Sequence, residues 1–213
     1  MPNHCYTFIT VEEKFNKKLE EIAKVGLCRH YVPMPAELES TTSPAKIVSE
    51  EEYIKQMKAN ETAKHKTYPI TEERSKYLTD KYGFNNWYDW AYHYWGTKWG
   101  CYDNEYDDGT YRFTSAWGPV DDSILERLAK DIPTFSYSYE EETGWGGQFE
   151  MEDGEIVDSL HWEEPDMEHV DGDIYYLAKK HINGEGEFKI GYYAFGSLHE
   201  YIGDTLEEAA KGI

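Results

Sequence analysis

Several groups of residues in this chain are of the types that hold metals or move protons. His4, Cys5, Cys28 and His30 supply two nitrogen and two sulfur donors, a set that suits tetrahedral zinc. Adjacent strand residues point to opposite faces, however, so His4 and Cys5 are badly placed to share one ion, and no Cys-x-x-Cys spacing reinforces the set. Cysteines buried at the end of a sheet are the better reading. Asp103-Asn104-Glu105-Tyr106-Asp107-Asp108-Gly109 offers the oxygen donors of a calcium loop. The EF-hand pattern would need glycine where Asp108 stands and a bidentate carboxylate where Thr114 stands, and a hairpin turn accounts for Asp108-Gly109 without an ion. His161 and His169, with Glu163, Glu164, Asp166 and Glu168, suit a divalent metal or acid–base chemistry, although no two stand at a spacing that defines a site. Nucleophile elbows, phosphate-binding glycine loops and dinucleotide fingerprints are absent. No catalytic residue, metal site or cofactor is assigned. A metal-dependent enzyme using the His/carboxylate-rich region 158–171 is the minority reading.

The 7 Trp, 19 Tyr and 8 Phe raise the question of base stacking on an aromatic sheet face. Such platforms sit in positive grooves, and here 21 Lys and Arg face 42 Asp and Glu, a net charge of −21. Direct nucleic-acid binding is therefore not expected, and core packing is the preferred role of the rings. The excess charge is local. Residues 1–98 balance 14 cationic with 14 anionic side chains, whereas 99–213 hold 7 and 28. From Asp131 to Ala178 there are fifteen carboxylates and no Lys or Arg.

Solubility explains the sign of that charge but not the missing cations, since carboxylates on neighbouring strands repel and cost stability. Carboxylates at i and i+2 of a strand, such as Glu150 and Glu152, lie about 6.6 Å apart on one face. DNA presents about one charge per 1.7 Å of axis. An acidic face of Glu140, Glu141, Glu142, Glu150, Glu152, Asp153, Glu155, Asp158, Glu163 and Glu164 could thus offer a basic cleft a DNA-like field, with Trp145 and Trp162 as aromatic anchors. An acidic protein-interaction module without such mimicry is the alternative.

The elements that must position these residues are read from periodicity. Cys5–Val11 is a strand, and Glu12–Val25 an amphipathic helix with Phe15, Leu19, Ile22 and Ala23 on one face, closed by Gly26. Val32-Pro33-Met34-Pro35 is an extended connection. An insertion at about 39–98 carries helices at 49–60 and 71–82 and a third, aromatic one from Asn85 to Trp95. Two hairpins turn at Asp108-Gly109 and Asp153-Gly154, with a helix over Asp121–Lys130 and a strand over Thr134–Glu141 between them. Beyond residue 163 a helix near Asp173–His181, a turn at Asn183-Gly184, a strand over Glu187–Phe195 and a short helix from Thr205 are expected. This order is that of an α+β ferredoxin-like antiparallel sheet with helices on one face, an insertion and an extra hairpin. The division is a domain over 1–163 and an α/β extension over 164–213 packed on it. Three scattered cysteines, no leader pattern over Met1–Val11 and no long apolar run point to the cytoplasm.

Five words stand in a recognisable order: Pro2-Asn3-His4-Cys5, Pro33-Met34-Pro35-Ala36-Glu37-Leu38, Trp95-Gly96-Thr97-Lys98-Trp99, Phe113-Thr114-Ser115-Ala116-Trp117-Gly118-Pro119 and Gly144-Trp145-Gly146-Gly147-Gln148-Phe149. Together they resemble the YubB-like family of phage and plasmid proteins, over roughly residues 2–163. His4 stands where that family has Trp, and Gly100 where Asp follows the second Trp. The resemblance implies a ferredoxin-like domain and a mobile-element origin, and supplies no catalytic residue. It makes a host DNA-binding defence protein or nuclease the expected partner, bound and inhibited in the host cytoplasm.

Overall fold

The computed structural model describes residues 3–59, 67–162, 168–170, 173–182, 185–194 and 197–203, with side chains described up to 161. The first strand, β1 (His4–Val11), buries Cys5, Thr7 and Ile9 and exposes Tyr6, Phe8 and Thr10, so its alternation sets two faces for the whole sheet. A 3-10 turn at Glu13–Phe15 leads into α1 (Asn16–Val25), whose Leu19, Ile22 and Ala23 cover the buried face. Gly26, at φ 90°, ends it.

Between α1 and the second strand the chain inserts a helical layer. It comprises α2 (Leu27–Tyr31), α3 (Ala36–Glu39), α4 (Glu50–Ala59), α5 (Glu72–Tyr82) and α6 (Trp87–Trp95). Thr71 and Asn86 cap α5 and α6 by accepting from the backbone N–H groups of Arg74 and Asp89, and Gly83 and Gly96 close them in left-handed conformations. Leu38, Ile70, Leu78, Trp90 and Trp95 from this layer share one cluster with Ile9, Leu19 and Ile22, so the insertion adds to the sheet's own core. Glu37 fastens α3 to α5, 2.7 Å from both Arg74 Nη2 and Lys81 Nζ and accepting from the Tyr82 hydroxyl.

The chain then returns to the sheet. A hairpin of β2 (Tyr102–Asp107) and β3 (Thr110–Ala116) turns at Asp108-Gly109 with φ of 37° and 85°, the positive pair a tight hairpin turn demands. Helix α7 (Asp122–Asp131), capped by Asp121, buries Ile124, Leu125 and Leu128. Strand β4 (Phe135–Glu141) follows, then the hairpin β5 (Gly146–Glu152) and β6 (Glu155–Trp162), turning at Asp153-Gly154. The sheet order is β2-β3-β1-β4-β5-β6, with every pairing antiparallel. The run β1-α1-β2-β3-α7-β4 is the ferredoxin-like arrangement, extended by one hairpin beyond β4.

A second antiparallel sheet of β7 (Glu168–Val170), β8 (Asp173–Ile182), β9 (Glu185–Ala194) and β10 (Ser197–Gly203) has the order β10-β9-β8-β7. The helix expected near Asp173–His181 is thus a strand. Ile174, Tyr175 and Tyr176 favour extended backbone, and pairing with β9 from Tyr176–Gly191 to Ile182–Glu185 settles the competition. The strand expected over Glu187–Phe195 is β9, begun two residues earlier. The turn at Asn183-Gly184 and the helix from Thr205 fall outside the described residues.

Candidate functional site

The acidic residues lie mainly on the extra hairpin and its junction with β4. On β5, Met151 is buried while Glu150 and Glu152 are exposed, and register with β6 places Glu150 opposite Asp158 and Glu152 opposite Glu155. Each rung therefore sets carboxylate against carboxylate. Ser136 Oγ donates to Glu150 Oε2 at 2.5 Å. Asp153 forms the turn at φ 50°. The ion pairs of the described residues all fall between Glu12 and Asp131, and none includes Glu142, Glu150, Glu152, Asp153 or Glu155.

The junction residues play mixed parts. Glu140 is partly exposed on β4, opposite Tyr6 of β1 and Gly146 of β5. Glu142 is exposed and accepts from the His4 backbone N–H at 2.9 Å. Glu141 departs from the sequence expectation: it is 2% exposed and accepts from the Thr143 N–H at 2.7 Å and hydroxyl at 2.6 Å. Burial alone would raise its pKa, but the Thr143 bonds hold it below the usual carboxylate range. It braces the end of β4 and offers little to a partner. The alternation that puts Phe135, Tyr137 and Tyr139 on the core face continues to Glu141, and that period was the signal for its burial. Trp145 is half-buried, edge-on to Tyr139 at 6.0 Å, so it is partly committed to packing. The Trp162 side chain, Glu163 and Glu164 lie outside the described residues.

A largely apolar cleft of about 540 Å³ separates α7 from this hairpin, lined by Leu125, Ala129, Phe149, Met151 and Ile156, with Asp122, Glu126 and Lys130 of α7 also on its wall. Ile156 is 58% exposed at its rim.

The proposed metal donors are not gathered. His4 Nδ1 is 2.7 Å from the Tyr102 hydroxyl, His30 packs edge-on to Tyr31, and Cys28 Sγ lies 3.4 Å from Cys101 Sγ. Cys5 is fully buried, and burial pushes its thiol up to about 12. Asp103 to Asp107 belong to β2, which pairs with β3 apart from an irregularity at Asp103, φ 50°, so these residues are strung along a strand and not curled into a calcium loop. His161 Nδ1 is 3.3 Å from the Tyr139 hydroxyl. Glu168 and His169 lie on β7, and Asp166 falls outside the described residues. Among the described residues no three His, Cys, Asp or Glu side chains converge as metal ligands would.

A second cluster escaped the sequence reading, which gave the aromatic residues to the core. Trp90 and Trp95 are indeed buried, but Trp99 and Trp117 are 40% and 41% exposed. Thr97 explains their position: its buried hydroxyl donates to the Ala116 carbonyl and accepts from the Ala116 N–H, both at 2.9 Å. That clamp ties the loop after α6 to the end of β3. Gly96 allows a second close approach beside the clamp, to the backbone ahead of α7, since a Cβ there would sit 2.9 Å from the Asp121 nitrogen. Trp117 holds a φ of 70°, a rare value for a bulky residue, fixed by its N–H bond to the Asn3 carbonyl at 2.9 Å. Lys98 Nζ sits 4.6, 5.3 and 5.9 Å from the rings of Trp99, Trp117 and Tyr88. Trp99 continues edge-on to Tyr102, and Tyr102 to His4. Burial raises the Tyr102 pKa to about 12, helped by the charges of Asp103 and Glu142.

With this geometry in view, the family comparison bears on the sheet itself. Residues 94–176 are similar to a family described as the ferredoxin-like domain in Api92-like protein. A ferredoxin-like relationship is supported. The similar stretch runs from the end of α6 through both hairpins, so the acidic rungs and the Trp99–Trp117 cluster belong to the ferredoxin-like part of the chain. No curated protein and no solved structure matches the chain. Among the described residues no helix is long and apolar enough to cross a membrane.

Proposed function

We propose that this protein binds a basic protein partner through the carboxylates of the β5–β6 hairpin, taking the place that DNA would occupy in the partner's cleft. The facing pairs Glu150–Asp158 and Glu152–Glu155 carry this reading. Like charges directly opposite on adjacent strands are destabilising, and no ion pair among the described residues takes up Glu150, Glu152 or Glu155. A cationic surface docked on both rungs would turn that internal cost into binding energy and would speed encounter through long-range attraction. The largely apolar cleft beside α7, with Ile156 at its rim, gives the contact a non-polar part that a charge array alone lacks.

The resemblance to phage and plasmid proteins supplies a setting, in which the partner is a DNA-binding defence protein or nuclease of the host cell and binding inhibits it. The test uses immobilised full-length protein and a host lysate fraction enriched on DNA-cellulose. A captured protein released by duplex DNA and by salt, and not captured by a Glu152→Lys/Glu155→Lys variant, supports the proposal. Capture that duplex DNA does not disturb favours an acidic interaction module without mimicry.

A further inference from the structure

Lys98 is unusual for where its charge rests. In a chain with 42 carboxylates, it forms no ion pair among the described residues and lies against three aromatic rings. Ring faces attract a cation electrostatically within about 6 Å of their centroids, and all three distances satisfy that range. The seat is constructed, not incidental. It rests on the Thr97 clamp on Ala116, the close approach at Gly96 and the left-handed backbone at Trp117, the last a strained conformation for a bulky residue. Trp99 and Trp117 stay substantially exposed, so an incoming group can reach the same faces.

We propose that Trp99, Trp117 and Tyr88 form an ammonium-binding seat for a lysine side chain of a protein partner, and that Lys98 occupies it as a tethered stand-in when no partner is bound. An ammonium on a flexible four-carbon stem can leave this seat without disturbing the backbone around it. Asp103 and Glu142, whose charges act on the neighbouring Tyr102, give the surroundings the sign that draws a cation in. The seat is built from different residues than the acidic rungs and does not rest on the DNA-mimic reading.

The experiment follows the indole N–H resonances of the full-length protein during titration with Nα-acetyl-lysine amide. A parallel titration uses the neutral isostere in which a methyl group replaces the ammonium. Lys98→Ala is expected to bind the cation about three- to tenfold more tightly than wild type, the scale of one exposed to partly desolvated cation–π contact. Lys98→Arg refills the seat and should return affinity to the wild-type level. Trp117→Phe in the Lys98→Ala background keeps an apolar ring and should weaken binding severalfold with the indole spectrum of Trp90 and Trp95 unchanged. The proposal is overturned if Lys98→Ala binds no better than wild type, if the neutral isostere binds equally, or if none of the indoles responds.

Discussion

Glu152 and Glu155 face each other across the Asp153-Gly154 turn, two exposed carboxylates on adjacent strands. Glu150, exposed, and Asp158, partly buried, also stand opposite each other further along the hairpin. Such placement costs folding energy, and the cost can be measured without knowing the partner.

Glu155→Lys converts the first rung into an opposite-charge pair. It should raise unfolding free energy by about 0.2–1 kcal/mol, read from urea denaturation. Added salt should stabilise the wild type more than the variant, because screening relieves repulsion only where repulsion exists. A variant that gains stability while losing its partner would mark Glu155 as a binding residue.

Glu37 gives the insertion a specific acid sensitivity. Lys81, then Tyr82 and Arg74, hold its carboxyl down at about 2 from an ordinary 4.5. A depressed folded-state pKa stabilises fully above the unfolded value and loses that contribution as pH falls through the folded one. The link between α3 and α5 should therefore weaken from about pH 4.5 down to 2. Denaturation midpoints of wild type and Glu37→Gln should differ at neutral pH and converge across that window.

Thr97→Val keeps shape and removes the hydroxyl that serves both polar groups of Ala116. Two backbone groups then lose their partner in a buried place, which should cost about 1–3 kcal/mol for each group left unsatisfied. Trp117 fluorescence should shift as well, because its backbone follows directly on Ala116.

Two glycines that end helices with positive φ separate conformational strain from steric contact. A Cβ at Gly83 meets nothing within 4 Å, whereas one at Gly96 would press on the Asp121 backbone. Gly83→Ala should cost only the left-handed penalty of about 1–2 kcal/mol. Gly96→Ala should cost more in thermal and chemical denaturation, and should disturb the Trp99–Trp117 cluster.

Much of the fold was legible because its signals were local. Asp108-Gly109 and Asp153-Gly154 name their turns, Ile124, Leu125 and Leu128 name the buried face of α7, and Phe135 and Tyr137 name that of β4. Helix α2 was missed, since Leu27–Tyr31 is too short to show a period. Strand β8 was misread because Leu177, Ala178, Lys179 and Lys180 are good helix formers, and only pairing with β9 overrides them. The acidic residues were visible by type, and their face-to-face register came from the hairpin turn that the sequence did announce. The seat of Lys98 was not readable. It depends on a hydrogen-bond clamp between Thr97 and Ala116, and nothing in the spacing of those two residues says that they touch.

The most direct measurement is competition for the captured partner. Wild-type protein should hold a DNA-binding protein that duplex DNA displaces, and Glu152→Lys/Glu155→Lys, folded by circular dichroism, should not hold it. Undiminished capture by the folded charge-reversal variant would contradict the account.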